Sequence, residues 1–203
     1  MNALVRPPLL LRKIYPGALW RVNSKEKKIY LTFDDGPVPG ITPAALSVLR
    51  EFNIKATFFC VGENVQKHPE VFQQVISEGH SIGNHTFHHA DGWNMTARAY
   101  LREVQLCAEV VPSKLFRPPY GRMRPAQRKA IQRKYKIVLW DVLTYDFDRE
   151  LNGENCLQLA LKNSREGSVV VFHDSEKAKE RMLFALPKYI EEMKRRGFEF
   201  VAL

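Results

Sequence analysis

The feature that most constrains this chain is a regular alternation of short apolar runs with longer amphipathic segments. Runs of strand length lie at Lys28–Phe33, Ala56–Val61, His80–Gly83, Leu115–Phe116, Lys136–Val142, Ser168–Phe172 and Phe198–Val201. Between them, helical periodicity marks a segment opening at Thr42 and others at Glu70–Glu78, Thr96–Val111, Pro125–Lys134, Glu154–Asn163 and Arg181–Arg196. Thr42 is the expected N-cap of the first, with Pro43 as its first helical residue. Gly79 is the expected stop of the second. Neighbouring parallel strands need a crossover long enough to hold a helix, so this rhythm predicts an α/β fold with a mostly parallel sheet. An open doubly wound sheet and a closed barrel both satisfy it.

Polar residues help to choose between them. Asp34, Asp35, His85, Arg117, Asp141 and His173 all fall at or just beyond the C-terminal ends of expected strands. A barrel brings the ends of several strands to one functional face, whereas an open sheet uses mainly one crevice at its switch point. The barrel is therefore preferred. At 203 residues the chain suits one domain: an arm over residues 1–24, apolar and interrupted by proline, packed on a domain of residues 25–203.

The formal charge of +9 favours anionic partners, but the basic residues are dispersed over expected helix faces. No basic-plus-aromatic motif accompanies them, so nucleic acid is not an expected partner. Cys60, Cys107 and Cys156 are odd in number and lack metal or redox spacing; Cys60 and Cys107 read as buried thiols. No run reaches the roughly 18 apolar residues of a membrane span. The N-terminus, broken by Pro7, Pro8, Arg12 and Lys13, does not read as a secretory signal. The cytoplasm is therefore the expected compartment, with the cell envelope as the alternative. The oligomeric state is not legible.

Four motifs carry chemistry. Thr32-Phe33-Asp34-Asp35-Gly36-Pro37 ends a strand with two adjacent carboxylates at a turn, where Asp-Gly-Pro also serves turn formation alone. In Asn84-His85-Thr86-Phe87-His88-His89, a helical turn would put His85 and His89 on one face, with His88 as a competing ligand. Two imidazoles and one carboxylate suit a catalytic metal with open positions, and they also suit a non-haem iron site. Phe116-Arg117-Pro118-Pro119-Tyr120-Gly121 offers a fixed cation and a stiff backbone able to present N–H groups to an oxyanion. Val169–Phe172 is an apolar strand that delivers His173 at its end.

Together and in this order, the motifs resemble those of the polysaccharide deacetylases of the NodB-homology type, carbohydrate esterase family 4, from about Lys28 to the C-terminus. The resemblance implies a distorted (β/α) barrel, TIM-barrel-like with about seven strands. It implies a metal-dependent hydrolase that removes N-acetyl groups from N-acetylglucosamine-containing glycans, peptidoglycan-like or chitin-like. Asp35, His85 and His89 would bind a divalent metal, with Zn2+ favoured over Co2+ or Ni2+. The metal would activate its bound water, Asp34 would be the base and Arg117 would orient it. The Tyr120 N–H would help to hold the oxyanion, and His173 would be the acid. No organic cofactor is implied. The net charge favours an anionic peptidoglycan-type substrate, met by Arg122 and Arg124.

One motif departs from the family pattern, at two of its positions. Its Asp-x-x-Asp-Trp motif, whose first Asp partners the catalytic histidine, falls on Leu143, Asp146 and Phe147. Asp141, of the same strand parity, could substitute from one pleat deeper; otherwise His173 has no carboxylate partner. The alternatives to the family activity are an amidohydrolase of small non-sugar amides and a glycan-binding pseudoenzyme.

Overall fold

The computed structural model describes residues 5–23 and 25–203. In chain order the elements are α1 (Leu9–Ile14), β1 (Lys28–Asp34), α2 (Thr42–Glu51), β2 (Thr57–Cys60), α3 (Gly62–Lys67), α4 (Pro69–Ser77), β3 (Ser81–Asn84) and α5 (Ala97–Val110). They continue with β4 (Leu115–Phe116), α6 (Pro125–Ile131), β5 (Lys136–Ile137), β6 (Val142–Leu143), α7 (Gly153–Asn163), β7 (Val169–His173), α8 (Lys179–Arg195) and β8 (Glu199–Val201). All strand pairs are parallel, in the order β5-β4-β3-β2-β1-β7-β6, and β8 pairs with the opening residues of β1. The sheet curls into a (β/α) half-barrel with helices outside it, as the alternation of elements predicts.

The centre of the sheet is dry. β1 is flanked by β2 and β7, and Phe33 stacks on Phe58 at 4.8 Å between ring centroids. Ile29, Leu31, Phe33, Val170 and Phe172 are buried in one cluster with the inner faces of α2, α7 and α8, including Leu46, Leu49, Cys156, Leu186 and Ile190. Burying strands on both faces explains why they read as near-continuous apolar runs. All three cysteines are buried and unpaired.

Two of the differences from the sequence expectation arise from contacts between distant parts of the chain. The single run expected at Lys136–Val142 is split into β5 and β6, because the backbone between them turns to a third partner. Leu19 N–H donates to the Ile137 carbonyl and Leu139 N–H to the Leu19 carbonyl, at 2.8 Å each. Further contacts tie the arm down. Arg21 bridges Ser168, and Leu143 N–H donates to the Val5 carbonyl. The arm thus fills the opening between the outer strands, with Val5, Tyr15 and Trp20 buried. Residues 1–4 and 24 of the expected arm lie outside the described residues.

Thr42 is the second difference. It is the first residue of α2 rather than its cap. Its hydroxyl accepts from the Val38 N–H at 2.8 Å and donates to the buried Asp174 carboxylate at 2.5 Å, which ties the loop after β1 to the end of β7. Thr96 does cap its helix, accepting from the Ala99 N–H.

Candidate active site

The central strands end in polar residues at a single cavity of about 310 Å³. Asp34 closes β1 and Asp35 follows it, His85 follows β3, Tyr120 follows β4 and His173 closes β7, and all line this space. Leu143, Tyr145, Phe147 and Trp140 supply an apolar wall. A mostly apolar cleft with a few convergent polar groups is the usual form of a small-molecule site.

One ligand atom from each of Asp35, His85 and His89 lies within 4.8 Å of the others. His89 Nε2 is 3.1 Å and His85 Nε2 3.8 Å from Asp35 Oδ1. His85 is fully enclosed, and burial pushes its imidazolium down to about 4, so the ring is neutral at physiological pH. Its Nδ1 lies 2.8 Å from the Arg117 carbonyl, which can only accept, so Nδ1 carries the proton and Nε2 offers a lone pair. Burial raises the Asp35 carboxyl, but the His89 hydrogen bond and nearby imidazole charges outweigh it and hold the group below the usual carboxylate range. Two imidazoles and a carboxylate facing one cavity fit a divalent cation with a coordination position left open.

The route to this cluster corrects the helical-turn expectation. Residues 85–91 form no helix. Positive φ at Thr86 (63°) and His89 (52°) folds the chain back, and the Thr86 hydroxyl accepts the Ala90 N–H at 2.8 Å. Asp35 (84°) and Tyr120 (60°) are also left-handed. Non-glycine residues rarely adopt this region, and such strain gathers at functional sites. His88 points elsewhere: it is exposed and lies 3.1 Å from Glu103.

Asp34 faces Arg117, which is wholly buried. One Arg117 nitrogen donates to Asp34 Oδ1 at 2.6 Å and to the Thr32 hydroxyl at 2.8 Å. Its other nitrogens donate to the carbonyls of Val138 and Leu139, and the guanidinium lies 4.1 Å above the Phe59 ring centre. Burial lowers the Arg117 pKa, and the Asp34 charge works against that fall. Every arm of the fork is held, so Asp34 meets a cation that cannot swing away.

The parallel register pairs Asp34 directly with His173. His173 does have a carboxylate partner, and it is neither Asp141 nor absent. Asp146 Oδ1 is 2.7 Å from His173 Nδ1, and Asp146 Oδ2 accepts the His173 backbone N–H at 2.7 Å. Burial disfavours the imidazolium, but the Asp146 charge and hydrogen bond prevail and push His173 up to about 9. Asp141 is 0% exposed and tied instead to Arg12, Arg165 and the Ser168 hydroxyl. Strand parity failed here because the chain leaves β6 at Leu143 and loops, bringing Asp146 back to the strand end. The available signal was Asp146 itself, the one motif carboxylate retained.

Arg122 and Arg124 do not present free charge to the cavity. Arg122 pairs with Asp91 at 2.5 Å, and Arg124 donates to the Trp93 carbonyl. Among the described residues lining this cavity, Lys177 is the only lysine or arginine.

A curled parallel sheet with two imidazoles and a carboxylate beside a separate Asp–Arg pair and a His–Asp pair defines a metal-dependent hydrolase. Comparison with known proteins gives the family. Its polysaccharide deacetylase model matches residues 21–138. A peptidoglycan-N-acetylglucosamine deacetylase of Bacillus cereus is 36% identical over 96% of both chains. A chitooligosaccharide deacetylase of Azorhizobium caulinodans is 34% identical, covering 78% of this chain and 79% of that protein. The crystal structure of the Bc1960 peptidoglycan N-acetylglucosamine deacetylase superposes with a TM-score of 0.86 at 31% identity, covering 97% and 94% of the two chains. The chain belongs to the polysaccharide deacetylase family.

Proposed function

We propose that this protein removes N-acetyl groups from N-acetylglucosamine residues of a glycan, with peptidoglycan-type strands as the first choice of substrate. The supporting observation is the division of labour in one cavity: a three-residue cation cluster on one side, and Asp34 beside His173 on the other. Peptidoglycan is placed before chitin because the relative named for it is matched over nearly its whole length. The formal net charge of +9 no longer argues for that choice, since Asp91 already neutralises Arg122.

Asp35, His85 and His89 would hold the divalent metal. Bound there, the cation would polarise the acetyl carbonyl and lower the pKa of water towards about 7. Asp34 takes the proton from the attacking water, and Arg117 fixes the carboxylate in place. The Tyr120 backbone N–H donates to the oxygen that gains negative charge as the carbonyl carbon becomes tetrahedral. His173, kept as imidazolium by Asp146, donates its proton to the departing nitrogen as the C–N bond breaks. Acetate and a free amine result. A pseudoenzyme would need none of these pairings, and all are intact.

The test is acetate release by zinc-loaded protein from tetra-N-acetylchitotetraose, peptidoglycan fragments and an N-acetyl amino acid. Acetate and free amine should appear in equal amounts from the glycans. Turnover of the amino-acid amide alone would overturn the glycan reading in favour of a small-amide hydrolase.

A further inference from the structure

Asp174 follows His173 in sequence but does not line the catalytic cavity. It is 1% exposed, and its carboxylate is spent on the loop after β1. Oδ1 accepts the Gly36 N–H at 3.0 Å, and Oδ2 accepts the Thr42 hydroxyl at 2.5 Å. The Asp174 backbone N–H donates to the Asp34 carbonyl at 3.1 Å. One residue thus grips the chain on both sides of Asp35. The approach is close enough to require glycine at position 36, where a Cβ would collide with the Asp174 carboxylate.

Asp35 needs such a grip. Its φ is +84°, a left-handed conformation that a residue with a Cβ keeps only when its surroundings over-determine it. The hold comes from both strands that flank β1. From the segment after β2, the Asn64 side-chain amide donates to the Asp35 carbonyl at 2.8 Å, and the Val61 N–H donates to the Gly36 carbonyl at 2.9 Å. From the end of β7, Asp174 takes the Gly36 N–H. The peptide that leaves Asp35 is therefore fixed at its oxygen and at its nitrogen.

The consequence reaches the cation cluster. Asp35 Oδ1 lies 3.1 Å from His89 Nε2 and 3.8 Å from His85 Nε2. A carboxylate on a free loop has to be ordered whenever a metal binds, whereas one held by its own peptide is aimed beforehand. We propose that Asp174, seated by Thr42, is a positioning residue for the metal: it aims the Asp35 carboxylate at the two imidazoles and so sets the affinity of the site. Asp174 is not among the residues whose ligand atoms converge, and it acts through the Gly36 peptide. The proposal rests on the reading of Asp35 as a ligand and holds whichever glycan is the substrate.

The experiment measures zinc affinity by chelator competition on stripped protein, with the visible spectrum of the cobalt-loaded protein as a second readout of ligand geometry. Asp174→Ala removes both carboxylate contacts and should weaken zinc roughly 10–100-fold, the usual cost of losing an outer-shell partner. Asp174→Asn keeps an acceptor for the Gly36 N–H and a polar partner for Thr42, so it should recover most of that loss. Thr42→Val removes the hydroxyl between Val38 and Asp174 without changing the size of the side chain. It should weaken zinc roughly threefold to tenfold, the worth of one hydrogen bond, and it carries the test should Asp174→Ala not fold. The cobalt spectra of the Ala and Val variants should depart from that of the unaltered protein. Lower melting temperatures of the metal-free variants, with zinc affinity and cobalt spectrum unchanged, would make Asp174 a structural tie and overturn the proposal alone. Zinc bound as tightly by Asp35→Ala as by the unaltered protein would overturn the ligand assignment and the positioning role with it.

Discussion

Asp34 and Asp141 are both buried and both paired with arginine, yet they do opposite things. Asp34 stands at the open end of β1, held by one wholly buried Arg117, with one face left to the catalytic cavity. Asp141 lies behind β6, gripped by Arg12 and Arg165 at 2.7 and 3.2 Å, approached by Arg6 at 3.8 Å, and bonded to Ser168. Two of those arginines come from the arm, so Asp141 fastens the arm to the half-barrel. Here a buried Asp–Arg pair is a functional group when it keeps an open side and a clamp when it does not. The same contrast applies to charge. At Asp34 one arginine fixes a carboxylate that still faces the cavity, as the proposed base requires, while at Asp141 several arginines share one carboxylate and none is spare for a ligand.

The two aspartates should differ most in what their loss does to turnover. Asp34→Asn should lower turnover by roughly 10²–10⁴, the usual worth of a general base, while zinc content measured by elemental analysis stays near that of the unaltered protein. Loss of metal in step with activity would merge the two aspartates into one role.

Asp146→Asn comes next. His173 is raised to about 9, so the proposed acid is protonated below that pH and is lost as pH rises through it. Removing Asp146 lets the pKa fall towards or below the ordinary 6.5, and the basic limb of the rate profile should move to lower pH. At pH 8 that is a loss of roughly tenfold or more. The same profile in Asp141→Asn should not move. A shift in Asp141→Asn instead would restore the sequence-based alternative.

The smallest effect on activity is expected at Asp141, where the effect on stability is large. Breaking a buried pair costs about 3–5 kcal/mol, and partial exposure of the arginines brings the expectation for Asp141→Asn to about 2–3 kcal/mol. In a chain of this size that lowers Tm by roughly 4–12 °C, with acetate release retained. An unchanged melting curve would deny the clamp.

Much of this was legible in the sequence, because period and motif are local properties. The alternation of elements, the strand-end placement of Asp34, Asp35, Arg117 and His173, and the burial of Cys60 and Cys107 all follow from short windows. What escaped depends on contacts distant in sequence. β5 and β6 separate because Leu19, more than a hundred residues earlier, bonds between them. His89 reaches Asp35 through left-handed backbone at Thr86 and His89, residue types that do not announce it as glycine would. Asp146 reaches His173 through a loop that strand parity does not describe. Arg122 looked like free charge because Asp91, thirty-one residues away, is silent in a local reading.

Which side chains hold the cation decides how the rest of the cavity can act. Zinc titration of chelator-stripped protein, with acetate release followed in parallel, should show about one tight equivalent for the unaltered chain. His89→Ala should lose both the tight site and turnover, whereas His88→Ala, altered at an exposed ring beside Glu103, should keep most of both. Retention of zinc and activity in His89→Ala, or their loss in His88→Ala, would contradict the assignment of Asp35, His85 and His89.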